Sequence, residues 1–328
     1  MRTIRWGILG CGNVTEVKSG PGFYKADNSS LVAVMRRNGA LARDWAERHG
    51  VGKWYESADE LINDRDVDAV YIATPPGSHM QYALLCAQAG KPTYVEKPMA
   101  LNHAECLEMI DAFASARVPL FVAYYRRALA RFLKIKELID GGVIGDVRFV
   151  RISMHRPASE QDRNPAENWR IDPAVSGGGY FLDLASHMLD FLEYALGPIA
   201  EASGFAGNQA GLYEAEDIVS GSFRFASGVH GTGTWCFAAD EKMDWTEIHG
   251  STGKIGYVTF DDSPVVVETG SGVERFSIPY PAHVQQPLIQ TIVDELNGIG
   301  RSPSNGESAA RTTWVMDQLL GGYYDGRR

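Results

Sequence analysis

Apolar and polar positions along residues 1–123 fall into two alternating kinds of segment. Short apolar runs read as strands: Ile4 to Leu9, Leu31 to Met35, Trp54-Tyr55, Asp68 to Ala73, Thr93 to Val95 and Leu120 to Ala123. Between them the spacing turns helical, after the glycine turn at Gly10–Gly12 and over Ala40 to His49, Ser57 to Asn63, His79 to Ala89 and Asn102 to Ala116. Ser78 sits where an N-cap belongs, and Gly50 and Gly90 stand where helices stop. Strand and helix in strict alternation predict an α/β unit with a parallel, doubly wound sheet. In such a sheet ligands gather outside the carboxyl ends of the strands. Gly10, Thr74, Glu96 and Tyr124 all fall at those ends, so they are expected along one crevice.

Past Tyr124 the pattern changes. An amphipathic helix, Ala130 to Asp140, ends at Gly141-Gly142, and Val147 to Met154 alternates as a strand does. Ile218 to Phe225 and Val229 to Phe237, joined by Ser227-Gly228, read as a hairpin. Trp245 to His249, Lys254 to Phe260, Val265 to Glu268 and Val273 to Ile278 extend a large, mostly antiparallel open sheet. Two helices close the chain, about Val284 to Asn297 and Glu307 to Tyr323. The expected division is 1–123 for one domain and 124–328 for the other, the last helix returning to the first. A sheet with only one face covered by helices is expected to leave an apolar face that a second copy covers, giving a homo-oligomer, dimer or tetramer.

One helix in this half stands out. Phe181 to Leu196 is apolar around most of its circumference, and Asp183, His187, Asp190 and Tyr194 form one narrow polar stripe. Gly177-Gly178-Gly179 precedes it, a run that lets backbone pass close to a ligand. The alternative is an ordinary solvent-facing stripe.

Composition removes several function classes. Of 328 residues 22% are charged, the formal net charge is −10 and no basic block occurs, which argues against nucleic acid and anionic membranes as partners. No apolar run reaches membrane-spanning length. The four cysteines are scattered without metal-ligand spacing, so reduced thiols and no metal are expected. The chain runs from Met1 straight into a strand without an apolar leader, which points to the cytoplasm.

The chemistry-bearing residues follow from position. Gly10-Cys11-Gly12-Asn13-Val14-Thr15 supplies the first two glycines of G-x-G-x-x-G between a strand and a helix, where backbone N–H groups meet a pyrophosphate. Thr15 at the third position departs from that pattern and costs close helix–strand packing. At the end of the second strand stand Arg36 and Arg37, with no acid. An acid there holds the ribose 2′-OH of NAD and an arginine accepts the 2′-phosphate of NADP, so NADP is favoured over NAD. Asn13, Val14, Thr74, Pro75, His79 and Glu96 complete the expected cofactor contacts of this edge. Lys97, between Glu96 and Pro98, is placed where a cofactor and substrate would meet; the alternative is a surface lysine in an ordinary strand-to-helix loop.

With Gly10-x-Gly12, Glu96-Lys97-Pro98, and Gly177-Gly178-Gly179 followed by Asp183 and His187, the chain resembles the glucose–fructose oxidoreductase and inositol dehydrogenase (Gfo/Idh/MocA) family over nearly its whole length. The resemblance implies a Rossmann domain followed by a substrate-binding and oligomerisation domain built on a large open sheet. It implies Lys97, Asp183 and His187 as the catalytic group, and places Trp169 and Arg170 near the nicotinamide. The implied activity is NAD(P)-dependent hydride transfer to or from a hydroxyl or carbonyl of a carbohydrate-like small molecule, whether sugar, polyol or cyclic diol. Two other readings are a non-catalytic dinucleotide-binding regulator and an enzyme that cleaves glycosides with transient use of bound cofactor. Substrate contacts are expected from loops such as Met154 to Asn168.

Overall fold

The computed structural model describes residues 1–164 and 168–325. In chain order its strands are β1 (Ile4–Leu9), β2 (Ser29–Met35), β3 (Lys53–Tyr55), β4 (Ala69–Ile72), β5 (Thr93–Val95), β6 (Leu120–Val122), β7 (Val147–His155), β8 (Ile199–Gly207), β9 (Ile218–Phe225), β10 (His230–Cys236), β11 (Met243–Gly250), β12 (Gly253–Tyr257), β13 (Val265–Thr269) and β14 (Gly272–Phe276). The α-helices are α1 (Asn13–Val17), α2 (Gly20–Lys25), α3 (Gly39–His49), α4 (Ala58–Ile62), α5 (His79–Gln88), α6 (His103–Ala116), α7 (Ala130–Asp140), α8 (Pro173–Ser176), α9 (Ser186–Leu196), α10 (Gln286–Leu296) and α11 (Gly306–Leu320). They form two compact units, Met1–Leu129 with Pro281–Ala310, and Ala130–Tyr280 with Arg311–Arg328.

In the first unit six strands run parallel in the order β3-β2-β1-β4-β5-β6, the doubly wound sheet that the alternation predicts. One face buries Leu9, Ile72, Val95, Met109 and Phe113; the other buries Trp6, Ile8, Tyr71, Tyr94 and Phe23. The second layer also holds Leu288, Ile289, Ile292 and Val293 of α10. That burial is why the chain does not divide once between residues 123 and 124, as expected from the change of pattern. A later segment comes back to complete the first core, and α11 itself is shared, Ala309 and Ala310 lying in the first core. Ser78 stands at the N-cap of α5 but makes no side-chain capping bond. Its hydroxyl lies 2.8 Å from Thr74 Oγ1 and 3.0 Å from Pro75 O, and a 3₁₀ turn over Pro76–Ser78 leads into the helix. Side-chain caps belong to Asn38 on α3 and Asn102 on α6, each accepting from a backbone N–H three residues on.

The second unit is an eight-stranded sheet, β14-β13-β12-β11-β7-β10-β9-β8, antiparallel except for the β7–β10 pair. The sequence pattern misses β8: Ala200, Ala202, Ser203, Gly204 and Ala206 carry neither the β-branched side chains nor the apolar alternation that mark a strand. One face is packed by α7 and α9, with Phe132 edge-on to Phe191 at 4.8 Å and both rings edge-on to Tyr257. The other face is not the apolar surface expected. Its exposed positions include Arg151, Ser222, Arg224, Thr232 and Thr234, with Phe149 and an 83% exposed Phe205 as the apolar exceptions. Glu247 lies on it between Arg151 (2.5 Å) and Lys254 (3.2 Å). Burial works to raise its carboxyl, but hydrogen bonds from Lys254 and Arg151 hold it down at about 2. Among the described residues no helix is long and apolar enough to cross a membrane.

Of the polar stripe of residues 181–196, His187 and Asp190 are buried and Asp183 and Tyr194 half-buried. Phe181–Ala185 forms a π turn before α9 starts, and the Ser186 hydroxyl donates back to Asp183 O at 3.1 Å. His187, Asp190 and Glu193 are all buried. Thr312 Oγ1 lies 3.4 Å from Asp190 Oδ1 and 3.0 Å from Glu193 Oε2. A single hydroxyl proton cannot serve both carboxylates, and burial pushes Glu193 up from 4.5 to about 7. The folded chain therefore holds a proton that the unfolded chain releases between pH 4.5 and 7. By linkage, this group makes stability fall as pH rises through that window and level off above it. Glu193→Gln is expected to be more stable than the parent at pH 8, by roughly 3 kcal/mol at most, and equal to it near pH 4.5. Denaturant melts at the two pH values check this; a constant difference between variant and parent would contradict it.

Candidate active site

At the carboxyl edge of the first sheet, Gly10 has φ +89° and its N–H donates to Met35 O at 2.9 Å. A Cβ there would lie 2.8 Å from Thr74 Cγ2, so the turn and the end of β4 touch at this point. A Cβ on Gly12 would meet nothing closer than Gly10 O at 3.9 Å. The space over Gly12 is open, as a turn that admits a pyrophosphate requires. Thr15 is fully buried and its hydroxyl donates to Gly12 O at 2.7 Å. The close packing expected to suffer there moves to Gly20, whose Cβ would lie 2.0 Å from Thr15 O.

Asn13 is exposed and Val14 half-buried at the start of α1. Arg36 and Arg37 are exposed, and Arg36 Nη1 lies 3.5 Å from Cys11 O, over the glycine turn. Cys11 itself is sealed in the core, where burial pushes its thiol up to about 11, so it offers no reactive sulfur. Thr74 is half-buried and Pro75 exposed on the same edge.

Two residues expected to touch the cofactor are buried behind this edge. The His79 ring has no exposed surface; its Nε2 lies 2.7 Å from Thr74 O and its Nδ1 3.1 Å from Pro98 O. Burial lowers its pKa, and the ring lies between the Thr74 loop and the loop after β5, where a neutral imidazole donates its one N–H to one of the two carbonyls. Glu96 is also buried, and its Oε1 accepts from Tyr71 OH (2.6 Å) and Gln285 Nε2 (2.5 Å). Its Oε2 accepts the backbone N–H of Lys97 at 3.1 Å. Tyr94 OH donates to Gln285 Oε1 at 2.9 Å, completing a buried knot beneath Lys97. Burial, then the charge of Glu96, raises both tyrosines well above 10. They stay neutral donors. Glu96 thus holds the lysine's backbone, while Lys97 itself is half-buried at the edge. Gln285 escapes sequence reading: one glutamine in a loop nearly 190 residues away carries no local signal.

In the second unit two glycines of the run pack closely against protein. A Cβ on Gly179 would lie 2.7 Å from Glu216 O, and one on Gly178 2.8 Å from Leu182 Cδ1. The reason is Glu216, a fully buried carboxylate that accepts the Gly179 N–H at 2.9 Å and the hydroxyl of Tyr324. This clamp sets where the segment bearing Asp183 and His187 begins. Asp183 Oδ2 lies 3.4 Å from Arg170 Nε, and the Arg170 guanidinium lies 4.5 Å from the centre of the half-exposed Trp169 ring. Asn168, buried, donates to Tyr180 OH at 2.7 Å, and Tyr180 in turn bonds Asp162, which Arg156 holds at 2.9 Å. Trp169, Arg170 and Asp183 are therefore brought together on a stiff base. His187 is buried beside Phe260, their ring centres 5.9 Å apart. Part of the expected substrate loop, residues 165–167, lies outside the described residues. Among the described residues no group of three or more His, Cys, Asp or Glu side chains is placed to hold a metal ion.

Comparison with known proteins matches residues 4–124 to the model described as oxidoreductase family, NAD-binding Rossmann fold, and residues 132–256 to the GFO/IDH/MocA C-terminal domain. Oxidoreductase P35 of Formosa agariphila is 43% identical over 319 residues, covering 97% of this chain and 98% of that protein. The 1,5-anhydro-D-fructose reductase of Ensifer adhaerens is 28% identical, covering 92% of this chain and 91% of its own. Among solved structures, the aldose-aldose oxidoreductase from Caulobacter crescentus complexed with glycerol superposes with a TM-score of 0.86 at 23% identity, over 99% of both chains.

Proposed function

The chain belongs to the Gfo/Idh/MocA oxidoreductase family, and on that premise we propose that it transfers a hydride between NADP or NAD and a carbinol or carbonyl carbon of a sugar, polyol or cyclic diol. The observation that carries the proposal is the open space over Gly12 on the same sheet edge as Lys97, whose backbone is fixed by the Glu96–Gln285 knot. Gly10 and Gly12 would hold the pyrophosphate of the cofactor, which when bound would supply the hydride chemistry. The ammonium of Lys97 stabilises the developing alkoxide, and His187 exchanges the hydroxyl proton near neutral pH. Asp183 orders Arg170 and Trp169 at the nicotinamide end and orients a substrate hydroxyl. The second unit is the substrate-binding part, and its open sheet face, with Phe149 and Phe205, is where a second copy docks. A panel of sugars, polyols and diols followed by reduced-cofactor absorbance tests the reading. Turnover on some member is the expected result. Release of a cleaved glycoside without net reduced cofactor would favour the lyase reading instead.

NADP is the favoured cofactor because Arg36 and Arg37 are exposed at the end of β2 and no acid stands there to repel a 2′-phosphate. In a nicotinamide fluorescence titration NADPH is expected to bind more tightly than NADH, and Arg36→Asp to reverse the order. NADH preference in the unaltered protein would contradict this.

A further inference from the structure

We propose that Phe260 is a positioning residue for His187, and that Val258–Phe260 is built as the seat that holds it. The inference rests on the role given to His187 above. Phe260 meets the imidazole edge to face, ring centres 5.9 Å apart at 73°. The residue lies between β12, which ends at Tyr257, and β13, which begins at Val265, so no sheet ladder fixes it. Side chains do so instead. Asp244 Oδ2 accepts the N–H of Thr259 (3.0 Å) and of Phe260 (2.8 Å), and Tyr280 OH donates to Thr259 O at 3.0 Å. Arg131 Nη2 donates to Val258 O at 3.1 Å.

Arg131 makes the case sharper. Its guanidinium is almost wholly buried, and its Nε and Nη1 have no hydrogen-bond partner among the described residues. Burial lowers its pKa against the charges of Tyr280, Asp261, Asp262 and Asp244. A buried cation with two orphan donors is expensive in a fold that could have used an aliphatic residue. What it obtains is a grip on one loop carbonyl. Three groups, from α7, β11 and the segment after β14, thus converge on three residues, and the last of these meets His187. A group that must exchange a proton at one atom loses much of its effect when displaced by about 1 Å.

The test compares Phe260→Ala, Phe260→Leu and Phe260→Tyr with the parent on the best substrate. Phe260→Ala is expected to lower kcat by about 10- to 100-fold with the cofactor dissociation constant unchanged. Phe260→Tyr, which keeps the ring, is expected to restore kcat to within about threefold, and Phe260→Leu, which keeps bulk without a ring, to fall between. Added to His187→Ala, the Phe260→Ala change should cost nothing more. Folded Phe260→Ala or Phe260→Leu protein with parental kcat, while His187→Ala is inactive, would overturn the seat alone; if Phe260→Ala does not fold, Phe260→Leu decides. Full turnover in His187→Ala would overturn the reading of His187, and the seat with it.

Discussion

Replacing Lys97 by alanine is expected to lower turnover by about two to four powers of ten, the range for losing one preorganised electrostatic or acid–base group. Glu96 accepts the Lys97 N–H, and Tyr71 and Gln285 hold Glu96 from below, so the lysine's origin cannot drift. An ammonium on a fixed backbone spends little reorganisation when charge develops on the substrate oxygen. Cofactor affinity should change far less, since the phosphates are assigned to the Gly10–Gly12 turn. His187→Ala should also cut turnover steeply, and the double variant should fall well short of additive if both serve one proton transfer. Steady-state kinetics beside a cofactor titration check it; parental turnover without Lys97 would remove the residue from the chemistry.

Gly12→Ala is expected to separate cofactor binding from folding. Gly12 has φ −122° and ψ −160°, which alanine adopts freely, and its Cβ would touch no protein atom closer than 3.9 Å. The methyl group instead fills the space through which a pyrophosphate approaches the backbone. Cofactor affinity should fall on the order of 10- to 100-fold, roughly 1.4–2.7 kcal/mol, while the melting temperature stays put. Gly10→Ala should not make that separation. There φ is +89° and the methyl would press on Thr74, so that variant should lose stability as well. Unchanged cofactor affinity in folded Gly12→Ala protein would mean the turn holds no phosphate.

Much of the first sheet could be read from the chain because each strand and each crossover helix signals itself locally. Partnerships across long separations could not. Nothing around Leu288 says that α10 completes the core begun by Trp6 and Phe23, and nothing near Gln285 points to Glu96. The candidate site shows the same split. Gly10, Gly12, Arg36 and Lys97 were legible because position at a strand end is a local property. His79 and Glu96 were legible as residues of this edge, but their burial and their hydrogen-bond partners were not. Gly178 and Gly179 have close neighbours that the sequence does not show, Leu182 at the first and Glu216 at the second. The stripe on α9 was legible as buried polar groups in need of partners, but the partners were not, since only the fold brings Thr312 to Asp190 and Glu193.

The central claim is direct hydride transfer between a carbinol carbon and the nicotinamide, and isotope tracing tests it most directly. The best substrate of the panel, deuterated at the reacting carbon, is turned over with oxidised cofactor in ordinary water, and the reduced cofactor is examined by mass spectrometry. One deuterium per reduced nicotinamide, formed in step with oxidised product, is the expected result. Reduced cofactor that carries no deuterium, or product formed with no reduced cofactor at all, would contradict the account.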